Sequence, residues 1–321
     1  MGEGSNAGMS SREPSPGATR PPSPGGRGLL LALVIALLTS LAGEVRAQTP
    51  ALGMVLSVEG DVFIQRGAQK TPALRVDFLK DTDKLVITKG RADVLVCASS
   101  ERWVLATGAT VEFAAAGVKQ TSGPAPERKP AKCVLPDVRL DDKDRLRFGG
   151  LQPRGNPPIA LLIGGTVATD RPAFDWMPVK NAQSYEIALR DEKGDIVWQT
   201  RASSNHLDYP SAETALKAGV YQWEVKAVAN QRTVAQQTAN LEIKPSSEFS
   251  KPVPSDPADK LLRAAELENA RYYAEAAALY RQLRDADPRD ARIGYHLVWL
   301  YGSAGLVATA NDELARLGPI K

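Results

Sequence analysis

The amino-acid sequence predicts a multidomain chain in which two all-β units precede an all-α unit. Three observations predict it. Residues 51–118 alternate apolar and polar side chains and break at Gly60, Gly67, Gly90 and Gly108, the pattern of short strands joined by turns. Residues 159–244 alternate again, now with Tyr and Trp among the apolar positions. From residue 256 the apolar period becomes that of a helix, about 3.6, and the pattern recurs after a shift of 34 residues.

Ahead of these units, residues 28–42 form an uncharged apolar run. As a helix rising ~1.5 Å per residue it spans roughly 22 Å, short of the ~30 Å hydrocarbon core of a membrane. Arg12, Arg20 and Arg27 precede it, and Val45-Arg46-Ala47 ends in the small residues a signal peptidase reads. The expectation is a signal peptide over 1–47, with a Pro/Gly/Ser-rich, disordered n-region over 1–27 and Gln48 as the first mature residue. The protein is then periplasmic or secreted; the alternative is an uncleaved single membrane anchor, the only route by which the chain meets a membrane.

Composition supplies exclusions. The 321 residues carry 40 basic and 37 acidic side chains, a formal charge of +3, which lacks the concentrated basic face of a nucleic-acid binder. Cys97 and Cys133 are the two cysteines, and export predicts that they form a disulfide; the alternative is two unpaired thiols, with Cys97 buried in a strand. With His206 and His296 alone and no CxxC or HExxH spacing, no metal site is expected, and no cofactor. No phosphate loop, GxSxG or Cys-His pairing marks an enzyme. His206 and Asp208 are the nearest acid/base couple. They are read as a polar loop before Pro210 with side chains on opposite faces.

In the first β-unit, 51–118, the strands are MVLSVEGDVFIQRG, DKLVITKGRADVLVCASS and ERWVLATGATVEF. Val58, Gly60 and Val62, then Asp83, Leu85 and Thr88, then Gly90, Ala92 and Val94 resemble the pattern of the FecR-like domain family. The Asp-Gly turn usual there is replaced by Ser100-Glu101-Arg102. That resemblance implies a compact β-domain and, as an alternative function, a periplasmic sensor relaying ligand occupancy to a sigma-factor system. Residues 119–158, rich in Pro, Gly and charge, are expected to be a linker tied back through Cys133.

In the second β-unit, 159–244, Tyr185, Ile187 and Leu189 share one strand face, as do Tyr221, Trp223, Val225 and Ala227. These are taken as the two inner faces of a sandwich. Leu216 to Tyr221 resembles the tyrosine corner of fibronectin type III and immunoglobulin-like domains. Trp176, Trp198 and Trp223 are expected in the core, not on a carbohydrate-stacking surface. A linker follows over 245–255.

In 256–321 the shift of 34 aligns Ala264 with Val298, Leu267 with Tyr301, Ala276 with Ala310, Tyr280 with Leu314 and Leu283 with Leu317. Tyr273, Ala276, Tyr280 and Pro288 stand where the tetratricopeptide family has its aromatic, small, aromatic and helix-ending residues, so the segment resembles that family. Arg263 departs from it, and two repeats fall short of the three usually needed to bury a core. The resemblance implies a protein-binding groove centred on Arg292, Tyr295 and Trp299 and bordered by Glu268 and Asn269. The alternative is that Tyr295 and Trp299 cover core left open by the missing repeat, against the sandwich or in a homodimer. The function expected is a non-enzymatic cell-envelope adaptor that binds another envelope protein through its helices.

Overall fold

The computed structural model describes residues 50–136, 159–249, 251–288 and 290–317. The expected signal peptide, its cleavage point and the linker residues 137–158 lie outside the described residues. Everything described falls within one compact unit, Thr49–Lys321.

The first sheet has eight strands: β1 (Gly53–Arg66), β2 (Gln69–Pro72), β3 (Phe78–Leu79), β4 (Lys84–Val96), β5 (Glu101–Ala106), β6 (Thr110–Ala114), β7 (Gly117–Ser122) and β8 (Glu127–Pro130). Their order is β2-β1-β4-β5-β8, with β3 on β1 and the β6–β7 hairpin joined to β4. In the β1–β4 ladder Val58 faces Ala92 and Gly60 faces Gly90, so the residues of the first resemblance are partners across two strands. Both glycines have positive φ, and a Cβ on either would collide with the opposite backbone; only glycine allows this approach. The β4–β5 hairpin forms despite its missing Asp-Gly turn, with Ser100 taking the left-handed conformation at φ 52°.

The linker expectation needs correction, since β8 and most of β7 fall inside 119–158. Strand β8 has only exposed, mostly charged residues, because it is an edge strand, where charge guards unpaired backbone; such a strand lacks the alternation that betrays a buried one. Cys97 and Cys133 are bonded, with Cα atoms 4.9 Å apart, and anchor the chain just beyond β8.

The second β-unit comprises β9 (Gly165–Val167), β10 (Ala173–Asp175), β11 (Ser184–Asp191), β12 (Ile196–Ala202), β13 (His206–Asp208), β14 (Gly219–Ala229) and β15 (Arg232–Ile243). One sheet runs β12-β11-β14-β15-β9, and β10 pairs with β13 in a smaller layer. A second correction follows. Strands β11 and β14 are neighbours, Ile187 opposite Val225, so their apolar faces line one side of one sheet. The opposing layer supplies Phe174 and Trp176, whose rings lie 5.2 and 6.3 Å from that of Trp223. Trp176 and Trp223 are fully buried and Trp198 nearly so. The Tyr221 hydroxyl donates to the Lys217 carbonyl at 3.0 Å, the backward bond expected of the corner.

Four helices follow among the described residues: α1 (Pro257–Asn269), α2 (Tyr273–Ala286), α3 (Ala291–Ser303) and α4 (Val307–Leu317). Asp256 caps α1 by accepting from the Ala258 and Asp259 amides, and Asp290 caps α3 by accepting from that of Arg292. The starts of α1 and α3, and of α2 and α4, are 34 residues apart. Each helix packs on the next.

These parts share a core. Val55, Val94 and Val96 belong to the first sheet's own apolar cluster, whereas Met54, Leu56 and Leu95 join one that includes Trp223 of the sandwich and Tyr280 of α2. Within the expected linker 245–255 the Phe249 ring lies 5.1 Å from that of Tyr272, while most of the described residues there are exposed.

Ion pairs close the seam between the first sheet and the helices. Arg102, 3% exposed on β5, reaches Asp93 at 2.7 Å, Asp259 at 2.6 Å and Asp256 at 3.0 Å. Arg75 donates to the Leu283 carbonyl and pairs with Asp287 and Asp290. Replacing Arg102 with Ala removes the nearer cation of Asp93, 1% exposed, and leaves it Arg91 at 3.6 Å and the Ser57 hydroxyl at 2.9 Å. The expected loss is about 3–5 kcal/mol of stability, measured as a lower urea midpoint at unchanged m-value; an unshifted midpoint would show that water replaces the guanidinium.

Candidate functional site

The expected groove residues are distributed by what packs on them. Arg292 is paired with Asp77 of the first β-domain. Glu268 is 2% exposed and therefore borders no groove; it accepts from the Tyr280 hydroxyl at 3.1 Å and lies 2.7 Å from Nε2 of His296. Asn269 is exposed, but its amide donates to the carbonyls of Leu135 and Ala265, both at 2.9 Å, clipping the chain beyond Cys133 onto α1. Tyr295 and Trp299 remain half-buried, Trp299 edge-on to Tyr273 at 5.9 Å. Spacings of three and four put these residues on chosen helix faces, but the neighbouring β-domain decides which faces stay open.

The buried trio Glu268, Tyr280 and His296 was not legible as a unit, because its members lie on three helices. Burial, with the Glu268 carboxylate beside it, pushes the Tyr280 hydroxyl far above its ordinary range, so it remains a donor. The trio fixes the register of α1, α2 and α3.

The His206 reading also changes. Residues two apart on a strand share a face, and Nε2 of His206 lies 3.4 Å from Asp208. Its Nδ1 is closer to Asp175, at 2.6 Å across the β10–β13 pair. The hydrogen bond to Asp175 raises the His206 pKa above its ordinary value. Asp175 also faces Arg281 of α2 at 3.6 Å, linking sandwich to helices.

Arg281 opens a cleft of about 310 Å3 between the sandwich and the helices, with Arg284, Arg316 and Glu313 also in its wall. Its cations are already engaged: Arg284 with Glu313 and Asp285 at 2.5 and 2.8 Å, and Arg316 with Glu313 at 3.7 Å. A second cleft, of about 300 Å3, lies between β8 and α1 and is walled by Arg102, Lys129, Lys132 and Arg263 among others. Among the described residues, no group of three His, Cys, Asp or Glu side chains could hold a metal ion, and no helix is long and apolar enough to cross a membrane.

No family model matches this sequence, and no curated protein does. Solved structures give distant likenesses. The fn3 domain of human collagen alpha-1(XX) chain matches at 12% identity and TM-score 0.24, over 33% of this chain and all of that domain. Latent PorU from Porphyromonas gingivalis matches at 8% identity and TM-score 0.24, over 62% of this chain and 18% of its own. The extracellular domain of BT4673 from B. thetaiotaomicron matches at 10% identity and TM-score 0.21, over 51% and 36%. Likenesses of this size carry no functional assignment.

One further group stands out at the sandwich–helix seam. Glu275, in the first turn of α2, accepts from the Ala168 amide, while its Oε2 is buried with no hydrogen-bond partner among the described residues. Burial pushes its carboxyl up to about 7 from an ordinary 4.5. Between those values the folded chain holds a proton that the unfolded chain has lost, so this group's contribution to stability falls as pH rises through that window and is level outside it. The Gln variant should lose this part of the pH dependence. Melting temperatures of both proteins at intervals from pH 4 to 8 test it, and parallel curves would refute it.

Proposed function

We propose that this chain is an exported, non-enzymatic scaffold of the bacterial cell envelope. In this reading a FecR-like domain and a fibronectin type III-like sandwich brace a pair of tetratricopeptide-like hairpins that bind another envelope protein. The observation that carries it is the 34-residue interval between corresponding helix starts, the period of repeats that serve as protein-binding surfaces. The disulfide supports export, since such bonds persist in oxidising compartments. Tyr295 and Trp299 are the aromatic anchors, the residue type that dominates binding energy at interfaces.

Trp299→Ala should weaken partner binding by on the order of 2 kcal/mol while retaining the melting temperature. The measurement is recovery of envelope proteins on the immobilised variant and unmutated chain, with N-terminal sequencing of exported protein beside it. Equal recovery on a folded variant rejects the anchor role. Loss of folding or self-association assigns Trp299 to internal cover or a homodimer. A membrane-bound chain that retains residues 1–47 would favour the sigma-factor regulator.

A further inference from the structure

Beyond β8 the chain runs as a short strap, residues 131–136, from the edge of the first sheet onto α1. The Ala131 amide donates to the Ser100 carbonyl at 2.9 Å, and the Asn269 side-chain amide of α1 donates to the Leu135 carbonyl at 2.9 Å. Between these two points the covalent tie is Cys133 to Cys97. Among the described residues, 132–136 make no backbone–backbone hydrogen bond. Leu135 packs on the shared core and Pro136 is buried, whereas Lys132 and Cys133 are exposed.

The two ends of the bond are held unequally. Half-buried Cys97 follows β4; its amide donates to the Leu52 carbonyl at 3.0 Å, and its carbonyl accepts from the Ser100 amide at 3.2 Å. Neither contact needs the disulfide. The β5–β8 ladder, from Glu101 opposite Pro130 to Val104 opposite Glu127, ends before the strap, and the Arg128 guanidinium lies 4.3 Å over the Trp103 ring. The sheet is therefore complete without the bond, and the strap is not.

Exposure decides what kind of bond this is. A disulfide opens when a thiolate attacks one of its sulfurs, so access governs the rate, and exposed disulfides are the labile and regulatory ones. The exposed partner here is Cys133, on the side that the bond alone holds to the sheet.

We propose that Cys97–Cys133 is a redox latch, opened at Cys133 by a dithiol reductant, which frees residues 132–136 from α1 while the first sheet stays folded. A thiolate of the reductant attacks Sγ of Cys133, and Sγ of Cys97 leaves as a thiolate. The reductant's second thiol, as its thiolate, then displaces Cys133 from the mixed disulfide. The dithiol ends as its own internal disulfide, having supplied two electrons, and the two protons it gives up match those taken by the two protein thiolates. Asn269 loses the Leu135 carbonyl but keeps that of Ala265, at 2.9 Å, so the C-terminal end of α1 becomes open surface. The latch goes beyond the scaffold reading and stands without it, because neither Tyr295 nor Trp299 takes part.

The test is nitrogen-15 NMR of the disulfide-bonded full chain before and after dithiothreitol in native buffer, with thiols counted by iodoacetamide labelling and mass spectrometry. Both thiols should appear without denaturant. The backbone order parameters of Lys132 to Leu135 should fall from about 0.85 to below about 0.6, and the Asn269 side-chain amide should shift, while the Val58 and Ala92 amides of the β1–β4 ladder stay in place. The double variant Cys97→Ser, Cys133→Ser should match the reduced chain, and oxidised dithiothreitol should restore the first spectrum of the unmutated one. The proposal is overturned if the bond opens only in denaturant, if residues 132–135 stay ordered once it is open, or if the β1–β4 amides collapse in the reduced chain or the double variant, which would make the bond a staple of the fold. Partner recovery through Trp299 is a separate measurement, so failure here leaves the scaffold reading standing.

Discussion

The architecture depends on a stretch of strand that is apolar on both faces. At 54–56 in β1 and 94–96 in β4 every residue is buried, which a sheet with one wet face does not allow. The valines fill the first domain's own core; Met54, Leu56 and Leu95 point the other way. Burying three such side chains is worth roughly 2 kcal/mol each, together a large part of a typical domain's net stability. The helices and sandwich are the cover that this face requires. That need makes the described residues one body.

The same need explains how the four described helices are covered. Cover comes from the β-layers. Strand β1 lies against α1, and β9 against α2. Polar bonds close the join: the Thr309 hydroxyl donates to the Leu161 carbonyl, the Tyr272 hydroxyl to that of Lys244, and Glu275 accepts from the Ala168 amide. The helices are therefore covered by other parts of the chain, and much of the surface they would offer alone is already occupied.

What the sequence made legible and what it hid divide along local and non-local lines. Strand alternation, the helical period and the corner tyrosine are written in neighbouring residues, and the strands, helices and Tyr221 bond follow them. The 54–56 and 94–96 runs were visible too, but a continuous apolar run leaves open what covers its second face. Nothing in the sequence around Arg75, Asp77 and Arg102 marks them as seam residues, because their partners Asp287, Arg292 and Asp259, at or in the helices, lie about 150 residues or more away in the chain. Glu268 failed as a groove residue for the same reason: its proton donors come from two other helices. Edge strand β8 was hidden differently, by a composition suited to solvent on both sides.

The buried charges at the seam do something that the apolar contacts do not. Apolar packing is non-directional, so Met54 and Leu95 could bury their surface in several registers of helix on sheet. A guanidinium that must meet Asp93 on one side and Asp256 and Asp259 on the other accepts one. Desolvation offsets much of the attraction in such a cluster, and its value is then mainly positional. Val76, a β-branched residue held at φ 63° between Arg75 and Asp77, fits this account, since such a conformation persists where the surroundings over-determine it.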